Sequence, residues 1–154
     1  MAEVIVDESI PATPLTLYGL VSDVTRMGEW SPETTSCRWL GGATGPSVGA
    51  RFRGDNKQGW RRWSTTCTVA VADPGSRFAF DVHVGPLAIS TWSYEFVAEG
   101  AGCRVTETWT DRRPQWMVRT SPVVMGVRDR DAHNRDGMRA TLAALRRAVE
   151  PGTM

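Results

Sequence analysis

Lysine is all but missing from this 154-residue chain: of its 18 basic residues only Lys57 is not arginine. The arginines are spread over the whole length, which fits a GC-rich genome better than a phosphate-binding design. Excess charge of either sign is also lacking. Eighteen basic against 17 acidic residues leave a formal net charge of +1, so no protein-wide field gathers polyanions or an anionic membrane, and a nucleic-acid site would have to be local. Cysteine is scarce, and Cys37, Cys67 and Cys103 lie in three separate strand-like segments without the spacing of a zinc site or redox motif. They read as small buried hydrophobes. Histidine is limited to His83 and His133, in different elements, which argues against a His-based metal or catalytic centre; we expect no metal and no cofactor. No apolar stretch approaches the ~20 residues of a spanning helix, and the start "MAEVIVDESIP" has no basic residues leading into an apolar core. We therefore expect a cytoplasmic protein with no stable membrane insertion.

What the chain does have is a sharp succession of periodicities. "EVIVDES" (3 to 9) alternates as a first strand. In "PATPLTLYGLVSDV" the period changes: Thr13 can cap, Pro14 suits a first helical turn, and Leu17, Leu20, Val21 and Val24 recur at helical spacing. Asp23 can cap a second short helix carrying Met27 and Trp30, which Pro32 stops. From 35 to 112 the period is two, broken by turn signals at "GGATGPSVG", "GDNKQG", "ADPG", "VGPL" and "AEGAG", giving six more strands. After Ser121 and Pro122, the residues Val127, Asn134, Met138, Leu142, Leu145 and Val149 follow a 3.6-residue stripe. A helix over about 123–149 would span roughly 40 Å, enough to cross a sheet. No linker or repeat interrupts this order, so we expect a single domain over 1–154.

Each strand carries its large apolar groups on one parity, as antiparallel strands with one wet face do. The sets are Cys37 and Trp39; Phe52 with Gly54; Trp63, Cys67, Val69 and Val71; Phe78, Phe80, Val82 and Val84; Trp92, Tyr94 and Phe96; and Cys103, Val105 and Trp109. This settles how to read "GARFRGDNKQGWRRW" (49 to 63), which is crowded with cations and rings. Phe52 has the opposite parity to Arg51 and Arg53, and Trp63 the opposite parity to Arg62. A single-strand nucleic-acid platform needs rings beside the cations that hold the backbone, and here the two are separated, so we expect no nucleic-acid partner. Trp60, at a hairpin tip next to Arg61, is the exception.

Strand, two short helices, six strands and a long helix is the order of the α+β helix-grip fold. The stretches "MGEWSPE", "GARFRGDNKQGWRRW", "WSYEF", "GCRVTETW" and "GMRATLAALRRAVE", in that order over nearly the whole chain, resemble the polyketide cyclase/dehydrase branch of the START-like (SRPBCC) superfamily, in particular its small actinobacterial members. The resemblance implies a curved seven-stranded antiparallel sheet around the C-terminal helix, with a cavity between them for a hydrophobic ligand. Chemistry it leaves open, because members include cyclases, lipid carriers and hormone receptors.

Inward parity nominates Trp30, Trp39, Phe52, Trp63, Phe78, Phe80, Trp92, Tyr94, Glu107 and Trp109, and the helix Met125 and Met138, as cavity residues. Any single ring could instead fill the core. Adaptable methionine facing broad rings favours a partly open pocket. Glu107 shares the parity of Val105 and Trp109, and an ionised carboxylate there needs compensation. An arginine such as Arg119, a wet cavity, a raised pKa, or a surface arginine near a strand end would each provide it. "DRDAHNRD" (129 to 136) fails as a calcium loop, with Asn134 where Gly is needed and Ala140 where the closing Glu belongs. Three functions are compatible with these residues: a non-enzymatic carrier or sensor of a lipid-like or polyketide-like molecule; a polyketide cyclase or dehydrase using Glu107 or Tyr94; and an interaction module using exposed rings such as Trp60 and Trp116. Monomer and homodimer are both open.

Overall fold

A computed structural model describes residues 3–114 and 130–150 of the chain. Strand β1 (Glu3–Ile10) leads into α1 (Pro14–Ser22), where Thr13 accepts a hydrogen bond from the Thr16 amide and Pro14 takes the first turn. Asp23 caps a single 3₁₀ turn, Val24–Arg26, that runs directly into the short α2, Met27–Trp30. Gly28 is required there, because a Cβ would stand 2.6 Å from the backbone oxygen of Thr35. Then follow β2 (Thr34–Trp39), β3 (Arg51–Gln58), β4 (Arg61–Asp73), β5 (Arg77–Val84), β6 (Leu87–Glu99) and β7 (Gly102–Asp111). The helix α3 (Arg130–Val149) closes the described chain; the expected turns 123–129 lie outside the described residues.

The seven strands form one curved antiparallel sheet in the order β1-β7-β6-β5-β4-β3-β2. Parity is obeyed where it was read: Phe52 is buried between exposed Arg51 and Arg53, and Cys67, Val69, Phe80, Tyr94, Val105 and Trp109 all face inward. Val71 departs from it. The register passes from Val69 opposite Phe80 to Val71 opposite Ala79, so a bulge at Ala70 turns Val71 outward and hands the inward position to Ala72, opposite Phe78. "GDNKQG" is mostly strand, with the reversal confined to Gly59 and Trp60.

One end of the sheet is filled. Helix α1 lies over β5 and β6, and Tyr18 meets Phe78 and Phe96 edge-on at 6.3 and 6.0 Å between ring centroids. The chain of rings continues through Phe80 and Phe52 to Trp39, each step between 5.2 and 5.8 Å. Rings of this size bury ~150–250 Å² apiece, worth on the order of 4–6 kcal/mol each as an upper bound. Helix α3 packs on β1 and β7 and touches α2, with Met138, Leu142 and Leu145 fully buried.

Candidate functional site

Away from α1 the inward rows shrink. Gly54 stands opposite Thr65, and Ser90 opposite Val82, where the other end of the sheet carries phenyl rings. The missing side-chain volume becomes a cavity of about 730 Å³ between the sheet, the residues after α2, and α3, inside the ~300–1,000 Å³ range of small-molecule sites. Trp63, Trp92, Trp109, Phe52 and Phe80 form its aromatic wall and Met138 faces them from α3. Trp92 and Trp109 are cross-strand neighbours with centroids 6.5 Å apart.

The structure thus brings together Phe52, Trp63, Phe80, Trp92, Tyr94, Glu107, Trp109 and Met138 on one cavity. Trp30, Trp39 and Phe78 are off its wall. Phe78 is fully buried under α1; Trp39 packs edge-on against the Phe52 ring; Trp30 is buried at the end of α2 with the Arg26 guanidinium over it. They share inward parity with the cavity residues, but helices or neighbouring rings already cover them. Met125 and Arg119 lie outside the described residues.

Glu107 is 1% exposed and lies in the middle of β7, with Val6 opposite it on β1 and Tyr94 opposite it on β6. That register places it beyond reach of the strand end where a surface arginine could pair with it. Its described partner is the Tyr94 hydroxyl, which donates to Oε2 at 2.8 Å; Oε1 has no hydrogen-bond partner among the described residues. Burial pushes the Glu107 carboxyl up to about 8, against a smaller lowering by the Tyr94 hydrogen bond. Burial, followed by the proximity of Glu107, raises the Tyr94 hydroxyl well above its ordinary range. At neutral pH Glu107 is therefore a neutral acid. With Oε2 accepting from Tyr94, the acid proton belongs on Oε1.

Three further polar features of the wall were not singled out from sequence. Asn134, 4% exposed, has an Nδ2 without a partner among the described residues; its signal was a lone amide in the otherwise apolar stripe of α3. Arg113 reaches the cavity at the end of β7, with its Nε and Nη2 on the two carboxylate oxygens of Asp111 at 2.9 and 2.7 Å. Burial works to raise the Asp111 carboxyl, but the hydrogen bonds and charge of Arg113 prevail and hold it below its ordinary value. At the rim, His133 Nε2 stands 3.8 Å from Glu33 Oε2, joining α3 to the segment after α2. Among the described residues no group of three or more His, Cys, Asp or Glu could hold a metal, and no helix is long and apolar enough to cross a membrane.

The family model described as polyketide cyclase / dehydrase and lipid transport matches residues 1–150. The chain belongs to this family. A polyketide cyclase-like protein of Corynebacterium glutamicum has a similar structure at 30% identity and a TM-score of 0.66, over 96% of this chain and 90% of that one. DynU16, from the dynemicin biosynthetic locus, shares the fold at 18% identity and a TM-score of 0.64; 98% of this chain aligns with 48% of that one. So does the Aha1 dimer of Colwellia psychrerythraea, at 14% identity, a TM-score of 0.68 and full coverage of both chains. None of the curated proteins matches the sequence. Polyketide cyclase/dehydrase and lipid transport proteins are thus the chain's relatives, a family whose description spans both chemistry and carriage.

Proposed function

We propose that the protein is a cytoplasmic carrier or sensor of a small, mainly apolar molecule held between the sheet and α3. The carrying observation is the cavity of about 730 Å³, walled by three tryptophans and two phenylalanines and containing a buried acid–hydroxyl pair, Glu107 and Tyr94. Stability alone would favour filling such a volume, since voids in cores are costly. The apolar wall supplies affinity and the polar pair orients one end of the guest. Native mass spectrometry of the protein purified without organic solvent tests this. We expect an adduct of a small apolar compound that is lost on unfolding, and saturable binding of the neutral fluorophore N-phenylnaphthylamine. A protein free of adduct that also leaves the fluorophore in water would refute the reading.

A second reading, a cyclase or dehydrase acting on a polyketide precursor, is favoured by one specific observation: an acid with its pKa pushed up to about 8, hydrogen-bonded to a tyrosine, on the wall of an apolar cavity. A carboxyl tuned near the working pH can give and take protons. Turnover of a model polyketone that disappears in Glu107→Gln would establish it, and binding of that polyketone without turnover would leave carriage.

A further inference from the structure

Two buried polar atoms on this cavity lack partners among the described residues, and both belong to groups that donate. Glu107 Oε1 carries the acid proton on the sheet side; Asn134 Nδ2 belongs to the helix side. Both side chains are more than nine-tenths buried. Leaving such donors unmet costs far more than an ordinary hydrogen bond contributes, so a guest that meets them is selected over one that does not.

We infer that Glu107 and Asn134 form a two-donor recognition site for a neutral acceptor oxygen, of the ketone, ester or amide carbonyl class, on an otherwise apolar ligand, and that ionised carboxylates are refused. This rests on the apolar-cavity reading above and narrows it. The refusal follows from charge. Among the described residues the one arginine or lysine on the wall is Arg113, whose Nε and Nη2 hydrogen-bond to Asp111; the His133 ring stands 3.8 Å from Glu33. Asp136 and Glu33 add negative charge at the rim. A carboxylate entering there would lose its water and meet, among the described residues, no arginine or lysine without a carboxylate partner.

The site also has a built-in pH dependence, because only protonated Glu107 donates. Among the described residues the titratable and charged groups around it are Tyr94 on β6, the Asp111–Arg113 pair at the end of β7, Cys37 and Cys67 on β2 and β4, His133 and Asp136 on α3, and Glu33 after α2. On β1 its neighbour is the apolar Val6. Of these, Tyr94 is the one in hydrogen-bond contact with the carboxyl, and burial keeps it protonated well beyond pH 8.

The test is displacement of N-phenylnaphthylamine by three ligands of one skeleton: acetylnaphthalene, ethylnaphthalene and naphthoate, at pH 7 and pH 9. We expect the ketone to outcompete the alkyl isostere by roughly tenfold, naphthoate to be the weakest, and the ketone's advantage to fall about tenfold between the two pH values. Glu107→Gln, whose amide can donate in place of the acid, should keep the ketone preference and lose its pH dependence. Glu107→Leu and Asn134→Leu, each checked as folded by the near-ultraviolet dichroism of its tryptophans, should lose the preference. Failure of the wild type to bind the fluorophore would fell the cavity reading and this inference together. Fluorophore binding with equal displacement by all three ligands, or a ketone advantage that does not change with pH, would overturn the inference alone.

Discussion

Replacing Glu107 by glutamine keeps the side chain's shape and its bond to Tyr94 but removes the ionisation, so the difference in stability between wild type and variant isolates one titration. In the unfolded chain the carboxyl ionises near its ordinary value of 4.5; in the folded protein burial holds it at about 8. Below pH 4.5 both states are protonated. As pH rises from there to about 8, the unfolded state releases a proton that the folded state retains, so folding loses stability by about 1.4 kcal/mol per pH unit, and above pH 8 the loss levels off. The full difference, about 8 minus 4.5, is worth on the order of 5 kcal/mol; the group is fully buried, so no discount for solvent screening applies. Paired urea unfolding curves should show Glu107→Gln gaining roughly 3–4 kcal/mol on wild type between pH 5 and pH 8. In thermal melts that is roughly 10 °C for a chain of this size. A difference that stays constant across this range would show that Glu107 titrates normally, and the neutral-acid picture would fall with it.

Other perturbations have equally definite outcomes. Gly28→Ala forces a Cβ to within 2.6 Å of the Thr35 backbone oxygen and should cost about 1–3 kcal/mol. Gly54→Ala meets only Thr65 Oγ1 and Cys37 Sγ at 3.5 and 3.6 Å and should be neutral or stabilising by up to about 1 kcal/mol; denaturant midpoints separate the two. Phe78→Ala, under α1, should cost about 3–5 kcal/mol in the same assay while leaving the fluorophore's affinity within about twofold, because Phe78 is off the cavity wall. Asp111→Asn removes a charge-assisted pair worth about 2 kcal/mol at neutral pH. Because Arg113 holds the Asp111 carboxyl below its ordinary value, that stability is present above the ordinary value and is lost as pH falls through the folded one, so the wild-type and Asp111→Asn curves should converge at low pH.

Much of the fold was legible because a half-buried antiparallel strand writes its two faces in alternation, and because Thr13, Pro14 and Asp23 are read locally. Val71 was misread for a physical reason: a one-residue bulge at Ala70 inverts parity with no marker in composition. Parity showed Tyr94 and Glu107 both facing inward, but their pairing depends on the β6–β7 register, and side-chain alternation alone cannot fix that. The cavity was signalled less by the large residues than by the small ones. Gly54, Thr65 and Ser90 at inward positions mark where the core is thin, whereas Phe78 and Trp39 share inward parity and are simply packed over. Asn134 was visible as a polar break in the stripe of α3, and it acquires meaning only once the opposite wall is in place.

The chain's tryptophans provide the most direct test that a guest occupies this cavity. Trp63, Trp92 and Trp109 line it, Trp30 and Trp39 are packed away from it, and Trp60 is 82% exposed at the β3–β4 turn. Titrating indole-labelled protein with a neutral apolar ketone and following each assigned indole N–H by nuclear magnetic resonance should shift Trp63, Trp92 and Trp109 together along one saturable curve, with Trp60 unmoved. Shifts confined to Trp60, or none at saturating ketone, would place the guest outside or nowhere and contradict the assignment of this cavity as the binding site.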